Sequence, residues 1–246
     1  MGRLAQTLGV NNLRISMLIR VANNFAEFVE ISDSAEPLAS FVLFRGQTVK
    51  RNLLPSVARA RPNRNTSRLE KRALDQLLLI GASHLVGTGT TILDTMVIAQ
   101  HFGMKTRLLD WTTNPLAALW FACVSNSQED AFVYVLDADT LLERDVYTKD
   151  PFAIAETRVF QPRINNDRIA AQDGWFTLHR YSQTAKRFVP LEENPETKPH
   201  LREIRIPAAC KDSLLTSLER HGVSSKTLFP GLTGLCSHLN WKYIDA

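Results

Sequence analysis

Gln100-His101-Phe102-Gly103-Met104-Lys105-Thr106-Arg107-Leu108-Leu109-Asp110-Trp111-Thr112-Thr113-Asn114-Pro115, followed by a run of apolar residues to Cys123, is the stretch from which the rest of the chain can be read. Its end is local chemistry. Asn114 is suited to cap a helix and Pro115 to open it, which predicts a helix through Leu116, Ala117, Ala118, Leu119, Trp120, Phe121 and Ala122. That helix is apolar all round and is expected to be buried. A turn and a cap would suffice before it, yet the connection also carries His101, Lys105, Thr106, Arg107, Asp110, Trp111, Thr112 and Thr113. Polar groups crowded between two buried elements predict a site.

Upstream, Leu93, Met96, Val97 and Gln100 share one stripe of a helix expected from about Ile92 to His101 and stopped by Gly103. Phe41-Val42-Leu43-Phe44 reads as a short buried strand ending in Arg45-Gly46-Gln47. Arg45 therefore either leaves the core for water, with Gly46 turning the chain, or stands in a site at the edge of a core strand. Val21, Phe25, Phe28 and Val29 fall at helical spacing, and Ser67 with Glu70 forms a capping-box pattern before Ala73, Leu74, Leu77 and Leu78. Ala131 to Leu136, Phe176 to Leu178 and Arg202 to Ile206 read as strands, the last ended by Pro207. Asp137 to about Asp167 is loop-rich, and a last helix is expected from Asp212 to His221, stopping at Gly222. The mixture is α+β, divided into an N-terminal helical segment, 1–35, and a main domain, 36–246.

With 246 residues and 44% hydrophobic content, the chain is long enough to bury a proper core. The N-terminal Met1 to Thr7 lacks the apolar core of a signal peptide, and no apolar run approaches the length of a membrane span, so a cytoplasmic protein is expected. Cys123, Cys210 and Cys236 are far apart in apolar contexts and read as buried thiols. Net charge is +4, but it is unevenly spread: Lys50, Arg51, Arg59, Arg61, Arg64, Arg68, Lys71 and Arg72 stand against the single acid Glu70 between residues 50 and 72. Such a stretch is either a solvated face or a surface that holds phosphates, and no aromatic residue interrupts it to stack on bases. The Gly87-Thr88-Gly89-Thr90-Thr91 run lacks the lysine of a nucleotide-binding loop and reads as a helix lead-in.

Phe44-Arg45-Gly46-Gln47, Leu54-Pro55-Ser56-Val57-Ala58-Arg59, the block from Gln100 to Thr112, and Gln172-Asp173-Gly174-Trp175-Phe176 together resemble the FRG domain family, in order and in spacing, over roughly residues 20 to 240. The family implies a setting in bacteria and phages, often beside toxin or defence genes. The order of an arginine strand, a hydroxyl-bearing strand end with its helix, and a strand entered at a Gln or Glu is also similar to the plan of ADP-ribosyltransferases. That resemblance implies one compact domain with a split, mainly antiparallel sheet flanked by helices, and NAD as substrate with no metal. It places Arg45 on the phosphates, with Gly46, Gln47, Thr106 and Arg107 nearby, and Thr112 or Thr113 on the ribose. Gln172 or Glu203 takes the catalytic position, and Trp111 or Phe176 stacks on the nicotinamide. Few groups would suffice, because nicotinamide departs neutral from an oxocarbenium-like transition state and positioning does most of the work. The expected function is ADP-ribosyl transfer or NAD hydrolysis in a toxin or anti-phage effector. Its partners would be a protein or nucleic-acid acceptor and an inhibitor or sensor protein.

Several residues stay open. A neutral Gln172 can only orient a hydroxyl, whereas Glu203 could stabilise positive charge but also fits an exposed strand position. His101 is either a general base or a cap on its own helix. Asp110 either binds metal or pairs with Arg107 or Arg45. Ser56, Ser83 and Ser182 lack a nucleophile-elbow context. A non-catalytic domain that recognises a phosphorylated ligand or nucleic acid through Arg45, Arg107 and the basic stretch is the second reading. A metal-dependent nuclease using His101 and Asp110 is the third.

Overall fold

The computed structural model describes residues 18–34, 41–85, 91–125, 128–163 and 167–245. Met1 to Thr7 and the Gly87 to Thr90 run lie outside the described residues. In chain order the elements are β1 (Leu18–Val21), α1 (Phe25–Asp33), β2 (Val42–Gln47), α2 (Ser67–Ile80), α3 (Ile92–His101), β3 (Leu108–Thr112) and α4 (Pro115–Cys123). They continue with β4 (Ala131–Asp137), β5 (Arg158–Phe160), α5 (Asp167–Ala171), β6 (Gly174–Leu178), β7 (Tyr181–Ser182), β8 (Arg187–Phe188) and β9 (Leu201–Ile206). α6 (Lys211–Arg220), α7 (Ser225–Leu228) and α8 (Leu232–Tyr243) follow.

The main sheet has the strand order β1-β9-β4-β2-β3-β6-β5, and β7 pairs with β8 apart from it. Its pairs are antiparallel except β1 with β9, giving a mostly antiparallel α+β fold. Alternation decides the two faces. Phe44, Val133, Val135, Ile204 and Ile206 pack under α1, α4 and α6, while Leu108, Phe176 and Leu178 pack under α2 and α3. On the opposite face Leu43, Leu109, Trp111, Phe132 and Leu136 lie beneath Leu53, Leu141 and Leu191 from irregular segments.

Register divides this sheet. β2 and β4 share six paired positions and β3 and β6 share five, but β2 meets β3 only at Phe44 opposite Thr112. Beyond that pair, Arg45, Gly46 and Gln47 have no partner on β3, so a gap opens between two halves of the sheet. α4 packs across the joint on β2 and β3. Its backbone comes so close to β2 that a Cβ on Gly46 would run into the Ala118 carbonyl and lie 2.6 Å from the Ala122 nitrogen. Gly46 thus serves close packing within a strand, not a turn.

The local helix signals behave as the sequence predicts. Asn114 Oδ1 accepts from the Leu116 and Ala117 amides, at 2.9 and 3.2 Å, with Pro115 at the first position of α4. α3 opens on a Thr91–Asp94 capping box and gives way to Gly103 at φ 89°. Elsewhere tertiary contacts override local pattern. Val21 belongs to β1, which pairs with β9, and the helix begins only at Phe25. The strand after Phe41 does not end at Arg45 but continues to Gln47. Thr66, not Ser67, precedes α2, and Glu70 turns inward to a buried position instead of capping. Leu74 is buried, whereas Leu78 is exposed. Two helices, α7 and α8, follow the one expected to be last. Cys123 is buried as expected, but Cys210 is half-buried and Cys236 exposed. Among the described residues no helix is long and apolar enough to cross a membrane.

Candidate functional site

The gap between β2 and β3 is one wall of a cavity of about 410 Å³, closed by the end of α3, by α4 and by α5. Arg45 bridges the gap. Its Nη1 donates to the Asp110 backbone carbonyl at 2.7 Å and lies 3.7 Å from Asp110 Oδ2. Burial brings the Arg45 guanidinium down to about 10, against the pull of Asp110 and with the push of Arg59, so it stays charged at neutral pH. Its Nε is buried without a hydrogen-bond partner, as is Oε1 of Gln47 two residues on, along the same face of β2. Both residues line the cavity through their remaining side-chain atoms.

Asp110 is held from the side. Gln100 Nε2 donates to Asp110 Oδ1 at 2.7 Å, and Thr106 Oγ1 donates in turn to Gln100 Oε1. Thr106 is therefore a support behind the cavity wall. Thr112 lines the cavity, but its hydroxyl is committed: it donates to the Gln172 carbonyl at 2.6 Å and accepts from the Asn114 amide at 2.9 Å. It ties the end of β3 to the turn before β6. Gln172 also lines the cavity, with its amide nitrogen donated to the Leu228 carbonyl at 3.0 Å. Trp111 and Phe176 supply aromatic wall, the former anchored by Nε1 donating to Thr177 Oγ1 at 3.1 Å. His101 closes one end, and burial together with Arg168 lowers its imidazole below the ordinary value.

The structure thus gathers Arg45, Gly46, Gln47, His101, Trp111, Thr112, Gln172 and Phe176 around one cavity. Four expected residues lie elsewhere, Thr106 among them behind the wall. Arg107 is fully buried beneath α2, bonded to both oxygens of Glu70 (3.2 and 3.0 Å) and to Ser67 Oγ (2.8 Å), with Phe152 4.2 Å from its guanidinium carbon. Thr113 is exposed outside the cavity. Glu203 is neither exposed nor in the site. It sits on β9, 1% exposed, opposite Tyr134, with Lys50 Nζ at 2.8 Å. Burial and the nearby Glu203 and Glu192 raise the Tyr134 phenol above its usual range.

Sequence reasoning missed Arg51, Arg59 and Arg168 as wall residues, along with Trp175. Arg51 and Arg59 belong to the basic stretch, and Arg168 precedes Gln172 by one helical turn, which was the available signal. With Arg45 they set four arginines against the single carboxylate of Asp110 around the cavity. Among the described residues no group of three or more His, Cys, Asp or Glu side chains is placed to hold a metal ion.

No curated protein and no solved structure matched the chain. The model of the FRG domain family matches residues 40–131, a span from β2 to the start of β4 that holds Arg45, Gln100, Asp110 and Thr112, while Arg168 and Gln172 come from beyond it. With the arginine strand, the Leu108–Thr112 strand and the capped apolar helix all inside the matched span, the chain carries an FRG domain.

Proposed function

We propose that the cavity binds NAD and that the protein uses it for ADP-ribosyl transfer or NAD hydrolysis. The observation that carries this reading is the gap itself. Two halves of a sheet part after one residue pair, and the opening is lined by four arginines and by the rings of Trp111, Trp175 and Phe176. Such a wall favours a ligand that is anionic at one end and flat and aromatic at the other, and the volume falls within the range of about 300–1,000 Å³ usual for small-molecule sites. Arginine offers a pyrophosphate paired donors that a lysine cannot.

In the reaction proposed, a nucleophile's lone pair forms a bond to the anomeric carbon of the nicotinamide ribose. The bond from that carbon to the ring nitrogen breaks, and its electrons leave with neutral nicotinamide. The proton lost by the nucleophile passes to His101 or to water. Gln172, with its nitrogen taken by Leu228, offers its oxygen to a ribose hydroxyl. Nicotinamide release or ADP-ribosylation at this site suits a toxin or anti-phage effector, as the family's setting implies. The test is labelled NAD incubated with the purified protein, with and without cell extract. Nicotinamide should be released by the native protein, and Arg45→Ala and Gln172→Ala should each lower the rate at least tenfold. NAD that is neither bound nor consumed would sink the reading.

A second reading is favoured by one specific observation. Asp110, the carboxylate on the wall, is already engaged by Arg45 and Gln100, and Glu203 is sealed behind Lys50. A site without an uncommitted carboxylate suits a recognition domain that holds a nucleotide unchanged. Binding of intact NAD that depends on Arg45 would select it.

A further inference from the structure

The basic stretch that leaves the cavity is rigidly built and uncompensated. Arg51, Arg59, Arg61, Arg64, Arg68, Lys71 and Arg72 are all exposed, and among the described residues none of them forms an ion pair. Elsewhere Arg158, Arg163, Arg180, Arg187 and Arg205 each meet a carboxylate within 3.0 Å, and exposed cations that form no ion pair among the described residues, such as Arg144 and Arg220, stand singly in the chain and not in a run. The one acid inside the stretch, Glu70, points inward to Arg107 and neutralises nothing outside.

A solvated charge run would need no scaffold, yet this one has it. Leu53, Leu54 and Ala58 are buried, and the Val57 amide donates to the Thr106 carbonyl at 3.2 Å. The Pro62 carbonyl accepts from the Phe188 amide at 2.9 Å, and the Asn63 carbonyl from the Tyr181 hydroxyl at 3.1 Å. Arg68, Lys71 and Arg72 then fall three and four residues apart on α2, so they share one helix face. The positive end of the α2 dipole adds to the same field. The track starts at the cavity wall, where Arg51 and Arg59 stand, and runs to α2 without leaving the span between residues 51 and 72.

We infer that this track binds a nucleic-acid strand through its phosphates and leads that strand to the mouth of the cavity. Six of the seven cations are arginines, whose planar fork matches phosphodiester oxygens, which favours nucleic acid over an anionic lipid surface. The stretch has no aromatic residue to stack on bases, so recognition runs along the backbone and is insensitive to sequence. Resting on the NAD reading of the cavity, the strand is also the acceptor. A base nitrogen or hydroxyl oxygen supplies the electron pair for the new bond to the ribose carbon and loses its proton to His101 or water as nicotinamide leaves.

The test uses the full chain and fluorescently labelled oligonucleotides of one sequence, as single-stranded DNA, RNA and duplex, titrated at several salt concentrations. Native protein should bind, with affinity falling steeply as salt rises. Arg61→Glu, Arg64→Glu and Arg68→Glu combined should weaken binding more than tenfold and flatten the logarithmic salt slope by about 2–3, the loss of three phosphate contacts. The matching lysine triple should keep most of the affinity, and Arg45→Ala should keep all of it. NAD binding, measured separately, should be unchanged in the glutamate triple. Native and glutamate-triple proteins that bind oligonucleotides equally, or not at all, would overturn the inference, as would binding confined to anionic vesicles. If oligonucleotides bind along the track while NAD is ignored, the surface stands and only the cavity reading falls. Label transferred to protein and never to nucleic acid would overturn the acceptor role.

Discussion

Two arginines of the sequence motif meet opposite ends. Arg45 and Arg107 look alike in the chain, each beside an apolar strand, but Arg107 finds acceptors for Nε, Nη1 and Nη2 under α2, whereas Arg45 keeps Nε unbonded at the cavity. The first is a structural ion pair and the second an unfinished one. Removing one partner of a buried pair strands the other charge, a loss of about 3–5 kcal/mol. Arg107→Met should therefore lower the free energy of unfolding measured in urea by that order, with a lower midpoint, and adding Glu70→Leu should recover much of it. Arg45→Ala should leave the midpoint near that of the native protein while abolishing ligand binding. An Arg107→Met protein that unfolds normally but loses the ligand would instead return Arg107 to the site.

At the level of elements, what the sequence reveals is what local chemistry decides. α3 and α4 are legible because their caps, Thr91 with Asp94 and Asn114 with Pro115, act within a turn. β1, the full length of β2 and the gap after Phe44 are not legible, since each depends on which strand comes to lie alongside. Glu70 reads as a cap only until Arg107 arrives from far along the chain. α8 is masked by glycines: Gly231 stands at φ 104° before it, and Gly234 lies inside it, where a Cβ would sit 2.6 Å from the Ser225 carbonyl. The site was half legible, because its arginine and Gln172 lie in motifs while Glu203 and Arg168 are sorted only by the fold. Gly46 tests the joint between elements. Gly46→Ala must lift α4 from β2, because the obstacles are backbone atoms that no rotamer change can clear. We expect a loss of about 3 kcal/mol or more, with cavity binding lost in parallel since Ala118 and Phe121 line it. Gly103→Ala, where φ is 89° but nothing lies within 4 Å, should cost only about 1 kcal/mol in thermal or urea unfolding. Equal losses at the two positions would show that close packing of α4 is not what Gly46 provides.

Across the whole molecule, the sheet is two blocks, β1-β9-β4-β2 and β3-β6-β5, joined in register at one pair and overlaid by α4. The cavity takes Arg45 and Gln47 from the first block, Asp110 and Phe176 from the second, and Gln172 from the turn leading into it. A ligand seated there is bonded to both sides of the joint, so its binding energy opposes their separation. That energy appears as stability by linkage, about 2.7 kcal/mol at a concentration a hundredfold above the dissociation constant. NAD should accordingly raise the melting temperature, and hydrogen exchange should slow at the backbone amides of Arg45, Gly46 and Gln47 and of the facing part of β3. These residues lie where the ladder between the blocks is interrupted, with β4 pairing only their other edge. Arg45→Ala should abolish both effects, because it removes the side chain that spans the gap to the Asp110 carbonyl. Protection confined to one block would mean that the ligand rests on a wall instead of bridging the joint, and the parting of the sheet would then owe its existence to the packing of α4 alone.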